Sequence, residues 1–244
     1  MKKMTSFFNQ RFGPVLLLTL IICTVSLITR IVLFVKSFSS IDFSPVHIVG
    51  IFLVGLFYDL VVSSFFAIPV ALYCWLINDS FYRKKIQRVP LFLLFFIIIF
   101  IIISIAGSEI VFWNEFNVRF NFIAVDYLVY TNEVLGNIQE SYNMPVIISI
   151  VVFVALLLLF IVRKKLAASQ SASIYFGKRT LYFLSFLLLP LAGYFLVNNR
   201  FKNISKNNYI NELGGNGVYE FGAAFWNNEL DYNRFYLTRN DTAN

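Results

Sequence analysis

Charge, histidine and cysteine are all scarce in this chain, and each scarcity closes a class of function. Lys, Arg, Asp and Glu make up only 14% of 244 residues. A soluble domain covers its surface with about 25% charged residues, so much of this surface is not built for water. There is one histidine, His47, and it cannot complete a metal cluster or a catalytic triad by itself. Cys23 and Cys74 are the only cysteines, and both sit in apolar runs. A thiol there behaves as a small hydrophobe. No Gly-rich phosphate loop, Gly-x-Ser-x-Gly elbow or spaced His/Cys cluster occurs, so the chain carries no recognisable catalytic centre, cofactor or metal site of its own.

What remains is overwhelmingly apolar: 59% of residues are hydrophobic, and 29 are Phe. Such a composition belongs to membrane proteins. A helix needs about 20 apolar residues to cross a hydrocarbon core of about 30 Å. Five stretches qualify: 14–35, 48–77, 90–111, 145–162 and 180–197. Three begin at or near Pro14, Pro90 or Pro145, a residue tolerated in a first helical turn. The first is too long for a cleavable signal and lacks a small-x-small site. The expected fold is an all-α, five-span membrane domain over 1–197, followed by an aromatic linker over 198–244.

The bases set an orientation. Twelve of the 20 fall in one set of loops: Lys2, Lys3 and Arg11; Arg83, Lys84, Lys85 and Arg88; Arg163, Lys164, Lys165, Lys178 and Arg179. Asp79 is the one acid beside them. By the positive-inside rule the N-terminus is cytoplasmic, and five spans put the C-terminus outside, in the periplasm of a bacterial inner membrane. The net charge of +7 is then a topology signal and a contact with anionic lipid, not a nucleic-acid footprint. Trp75, Tyr82 and Trp113 are placed to serve as interfacial aromatic anchors.

Two non-spanning segments are organised. In 114–143, Phe116, Phe120, Ile123, Tyr127, Tyr130, Val134 and Ile138 recur at steps of three and four, the pattern of an amphipathic helix or two short ones. The segment is too polar to span and suits the outer interface between the third and fourth spans. The tail has a break at Gly214, Gly215 and Gly217, then Tyr219, Phe221, Phe225, Trp226, Leu230 and Tyr232. A tail this aromatic needs a partner surface, either bilayer or protein.

Ionisable groups within spans mark candidate sites. Arg30 lies ~24 Å along the first span from Pro14, Asp59 ~27 Å from Ile77, and Glu109 ~28 Å from Pro90, at ~1.5 Å per residue. All three fall at similar depth near the outer leaflet. Arg30 is expected to pair with Asp59, Glu109 or both, bracing the first three spans or holding a lipid headgroup. Arg119 and Asp126, in the outer segment, are further candidates for lipid contact.

Several stretches resemble a known family. The run Arg119-Phe-Asn-Phe-Ile-Ala-Val-Asp-Tyr-Leu-Val-Tyr-Thr-Asn-Glu-Val134, closing at Glu140-Ser-Tyr142, is similar to the outer loop of lipoteichoic acid synthase-like enzymes. These include phosphoglycerol transferases and sulfatase-like membrane enzymes of Gram-negative bacteria, within the alkaline phosphatase superfamily. Asn208-Tyr-Ile-Asn-Glu-Leu-Gly-Gly-Asn-Gly-Val-Tyr219, with Ala223-Ala-Phe225 and Asn228-Glu-Leu-Asp-Tyr232, resembles their linker. Gly55-Leu-Phe-Tyr-Asp-Leu60 with Pro69 resembles their second span. The resemblance implies a membrane anchor for an extracytoplasmic catalytic domain that holds a divalent metal, typically manganese, and a threonine nucleophile. That domain would begin about where the sequence reaches Asn244. No metal ligand or nucleophile maps onto this chain, which is therefore expected to be inactive alone and to act with such a domain in cis or in trans. An alternative is a small membrane scaffold or transporter subunit that binds a partner through the aromatic tail. Internal repeats of the transporter kind are not visible, and five spans do not divide into inverted halves.

Overall fold

A computed structural model of the chain describes residues 7–129 and 131–227. It is all-helical, with no strand among the described residues. Five helices are long and apolar enough to cross a membrane. They are α1 (Gly13–Lys36), α2 (Pro45–Leu76), α3 (Arg88–Phe116), then, after two shorter helices α4 (Phe122–Val129) and α5 (Thr131–Ser141), α6 (Met144–Ser169) and α7 (Phe176–Leu196). Two small helices follow, α8 (Asn208–Gly214) and α9 (Gly217–Asn227).

Local chemistry accounts for the boundaries. Pro14 and Pro45 sit in the first turns of α1 and α2, where a missing N–H costs nothing. Asn143 caps α6 by accepting from the Val146 N–H, satisfying a donor that has no partner in the helix. Asn117 ends α3 in the left-handed conformation, φ 54°, a geometry Asn tolerates better than most residues. The spans run longer than hydropathy alone marks them. α3 continues to Phe116 and α6 to Ser169, because helix-favouring polar residues extend an apolar helix once it is nucleated.

The core lies where α1 meets α2 and α3, α2 meets α7, and α3 meets α6. Leu18, Ile22, Ala67, Val70, Leu91, Phe95 and Ile99 are at most 1% exposed. α6 buries little beyond Ala155, Leu166 and Ser169 and leaves Ile150, Phe153, Phe160 and Ile161 exposed. Such apolar exposure suits lipid and would be a liability in water.

The segment 114–143 divides into the end of α3, a five-residue connection, α4 and α5. Residues 199–227 fold back onto the bundle, and Ile210 and Leu213 join Leu33, Ile51 and Trp113 in a second apolar cluster. Tyr82 and Trp113 are 0% and 2% exposed, so neither is an anchor facing headgroups; both fill protein interior.

On the face opposite the tail, Arg11 is fully buried. Its Nε donates to the Cys74 carbonyl at 2.6 Å, and its guanidinium also reaches the Ile77 carbonyl and Asp79. Asp79 accepts from the Ser173 hydroxyl at 2.7 Å and lies 3.9 Å from Arg179. Partial burial would raise this carboxyl, but the Ser173 hydroxyl and the two guanidiniums outweigh it and hold Asp79 below the usual carboxylate range. The N-terminal segment, the α2–α3 turn and the α6–α7 connection are thus stapled together. Replacing Arg11 by Ala should destabilise the bundle by about 3 kcal/mol, since the Cys74 carbonyl loses its side-chain donor, the Ile77 carbonyl keeps only Arg179, and a void opens. Asp79→Asn should cost less, about 1 kcal/mol, because that side chain keeps contact with water and an amide oxygen can still accept from Ser173 and Arg11. Thermal unfolding in detergent checks the ranking, which fails if the Asp79 variant is the weaker of the two.

Candidate functional site

Charged residues gather where the tail meets the ends of α1, α2 and α3. Arg30, on α1, is 1% exposed, as is Asp59 on α2. They form a two-pronged pair, Nη1 to Oδ2 at 2.7 Å and Nη2 to Oδ1 at 2.9 Å, the geometry that suits guanidinium and carboxylate best. Space for it comes from Gly55, one turn before Asp59. A Cβ there would lie 2.1 Å from the Arg30 Cζ. Arg30 then spends its remaining donors on the tail: Nε to the Leu213 carbonyl and Nη2 to the Gly215 carbonyl, both at 3.1 Å. The Asn216 amide completes Asp59 by donating to Oδ1 at 2.8 Å.

Glu109 takes a different partner from the one its depth suggests. It pairs with Arg119, just past the end of α3, and not with Arg30. The chain reversal at Asn117 brings Arg119 back over α3, a turn that span depth cannot reveal. Arg119, 2% exposed, also donates from Nε to the Glu212 carbonyl at 2.7 Å and from Nη2 to the Leu213 carbonyl at 3.3 Å. Its backbone N–H donates to the Glu212 carboxylate at 3.0 Å. Burial pulls the guanidinium toward neutrality, but the Glu109, Glu220 and Asp59 charges outweigh it and raise its pKa.

Two arginines from different parts of the bundle therefore hold the carbonyls at the C-terminal end of α8. Carbonyls at a helix C-terminus lack the next turn's N–H groups, the Glu212 carbonyl taking only the Gly215 N–H of the cap, and the helix dipole places partial negative charge there. Lys202 adds a third cation, donating to Glu212 Oε1 at 2.7 Å and pairing with Glu220. The tail is pinned further by Tyr58 Oη to the Asn198 carbonyl at 2.6 Å and Tyr219 Oη to the Val197 carbonyl at 2.7 Å.

Beside Glu109 and Arg119, between α1, α2 and α3, lies a cavity of about 20 Å³ reached by Thr29 and Asn216. It has room for about one water and none for a headgroup. Among the described residues no three His, Cys, Asp or Glu side chains are grouped to hold a metal ion. The arrangement holds backbone carbonyls of the tail against paired charges.

Of the remaining candidates, Asp126 stands exposed on α4, away from this cluster. Tyr219 packs on Tyr58, ring centroids 4.9 Å apart, and Phe221 packs edge-on to Phe120. Phe225 and Trp226 are 57% and 72% exposed, with Trp226 edge-on to Tyr194 at 6.2 Å. Leu230 and Tyr232 lie outside the described residues. Lys202, Glu212, Asn216 and Glu220 escaped sequence reasoning. The available signal was their placement on both sides of the glycine break within an otherwise aromatic tail.

No protein-family model matches the chain, and neither does any curated protein or solved structure.

Arg30→Met should destabilise the protein by about 3–5 kcal/mol, because it leaves Asp59 buried and unpaired. Adding Asp59→Leu should restore a substantial part, since an apolar pair avoids the stranded charge. Denaturant titration in detergent micelles measures both. A double variant no more stable than Arg30→Met would show that the pair itself is not what Asp59 depends on.

Proposed function

We propose that this chain is the membrane anchor of a lipid-headgroup transferase or sulfatase-like enzyme of phosphoglycerol-transferase type. It would position an extracytoplasmic catalytic domain, supplied in cis or in trans, over the outer leaflet of a bacterial inner membrane. The observation that carries the reading is the pinned tail. Arg30 and Arg119 fasten residues 212–215 to the bundle, so α9 leaves the membrane domain at a fixed place and angle. A passive tether would not need two buried guanidiniums to fix its exit. Holding an active site at a set height above lipid raises its effective concentration at the headgroups.

The charge distribution supports an orientation with the tail outside. In that orientation α4 and α5 lie along the outer interface, and exposed Phe225 and Trp226 offer the docking face. The divalent metal, manganese by the resemblance described above, would belong to the catalytic domain. The chain's own part is positional: the buried charges Arg30, Asp59, Glu109, Arg119, Lys202, Glu212 and Glu220 are engaged with one another and with the tail.

The test is co-purification from membranes with a sulfatase-like domain encoded in frame after this segment or in the adjoining gene. Wild-type chain should retain that domain, and the double change Phe225→Asp, Trp226→Asp should release most of it while the bundle stays folded, since both side chains are already exposed. The reading is lost if no such domain binds, or if the double variant binds it as well as wild type.

A further inference from the structure

The buried cluster at the tail does not balance in charge. Three cations, Arg30, Arg119 and Lys202, face four carboxyl groups, Asp59, Glu109, Glu212 and Glu220. Each of these seven residues except Lys202 is less than a tenth exposed, and the Lys202 side chain is only 12% exposed. An uncompensated charge in such surroundings is costly, and the usual remedy is to change protonation state.

Glu220 is the group placed to take the proton. Asp59 is gripped by two Arg30 nitrogens and Asn216. Glu109 has Arg119, and Glu212 has Lys202 together with the Arg119 N–H. Glu220 shares Lys202 with Glu212, and its second oxygen, Oε1, is buried with no hydrogen-bond partner among the described residues. That oxygen is pressed against Gly215, where a Cβ would lie 1.9 Å away. The charges acting on it come from several packed elements: Lys202 on the turn after α7, Glu212 on α8 and Arg119 after α3, with the Tyr58 phenol facing it from α2. α4 also packs on α9 and carries Asp126, which stands exposed.

We propose that Glu220 is a proton-operated latch on the tail: with a proton bound, α9 is locked onto the bundle, and with the proton lost, the surplus buried charge loosens it. The direction agrees with the surroundings of the carboxyl. Burial, with Glu212 adding to it and Lys202 opposing it, pushes Glu220 up to about 7. A carboxyl raised in the folded state binds its proton more tightly there than in the opened state. The locking contribution is therefore complete below the ordinary carboxylate pKa of about 4.3 and fades as pH rises to about 7. α9 on this account grips hardest in mildly acidic surroundings. The latch stands on the fold alone and holds whether or not a catalytic domain follows the tail.

Hydrogen–deuterium exchange on the full chain in lipid nanodiscs, corrected for intrinsic exchange rates, reads the latch directly. Peptides covering 217–227 should lose protection by roughly fiftyfold between about pH 5 and about pH 8.5, while peptides from the middle of α3 stay level. Glu220→Gln should hold α9 at its acid-state protection across that range. Lys202→Met, which removes the opposing cation, should move the transition to higher pH. Uniform protection of α9 at both pH values overturns the latch. So does an unchanged transition in Glu220→Gln, or in Lys202→Met should the glutamine variant not fold. Protection that follows added magnesium instead of pH also overturns it, since the surplus charge would then be met by a metal cation.

Discussion

Buried guanidiniums holding backbone carbonyls are the constraint on which the tail half of this structure depends. A charge placed among apolar helices is tolerable when it is paired and hydrogen-bonded. Arg30 and Arg119 meet that condition by dividing their N–H groups between carboxylates on the spans and carbonyls at 212, 213 and 215. The carboxylates alone would leave donors unsatisfied, and the tail alone would leave charge unpaired. Spans and tail therefore fold as one unit around the ions, and neither set of contacts is complete without the other.

The same device appears on the opposite face with other residues. Arg11 holds the carbonyls of Cys74 and Ile77 where α2 ends, and Asp79 balances it. Both faces thus use arginine to finish a helix C-terminus that packing against apolar neighbours would otherwise strand. The two sites differ in hydration. Asp79 reaches water and keeps its charge cheaply, whereas the carboxylates under the tail are enclosed and must share three cations among four. Protonation chemistry is consequently confined to the tail side.

The span positions and the placing of Arg30, Asp59 and Glu109 toward one end of the bundle were legible in the sequence, because both follow from hydropathy and a fixed rise per residue. Partner choice was not. Glu109 joins Arg119 because the chain reverses at Asn117, and a left-handed turn leaves no mark in apolar periodicity. Hydropathy does not mark Gly55 as the residue whose missing side chain admits the Arg30 guanidinium. The glycines of the tail read as a break in an aromatic segment. Gly215 and Gly217 are close-approach points for Glu220 and Glu109, a meaning that depends on which atoms come near and so cannot be recovered from one chain's composition.

A pinned tail also constrains how anything beyond it can move. If α9 were attached only through the exposed rings of Phe225 and Trp226, its angle would wander on the timescale of surface loops. With its base held by buried ion pairs, rotation about residues 215–217 requires breaking contacts in a low-dielectric setting, where each is stronger than it would be in water. Stiffness at that point comes from the same charges that make it sensitive to one proton. Rigidity and responsiveness are not separate properties here: the fewer the water molecules reaching Lys202, Glu212 and Glu220, the firmer the hold and the larger the consequence of adding or removing a single charge.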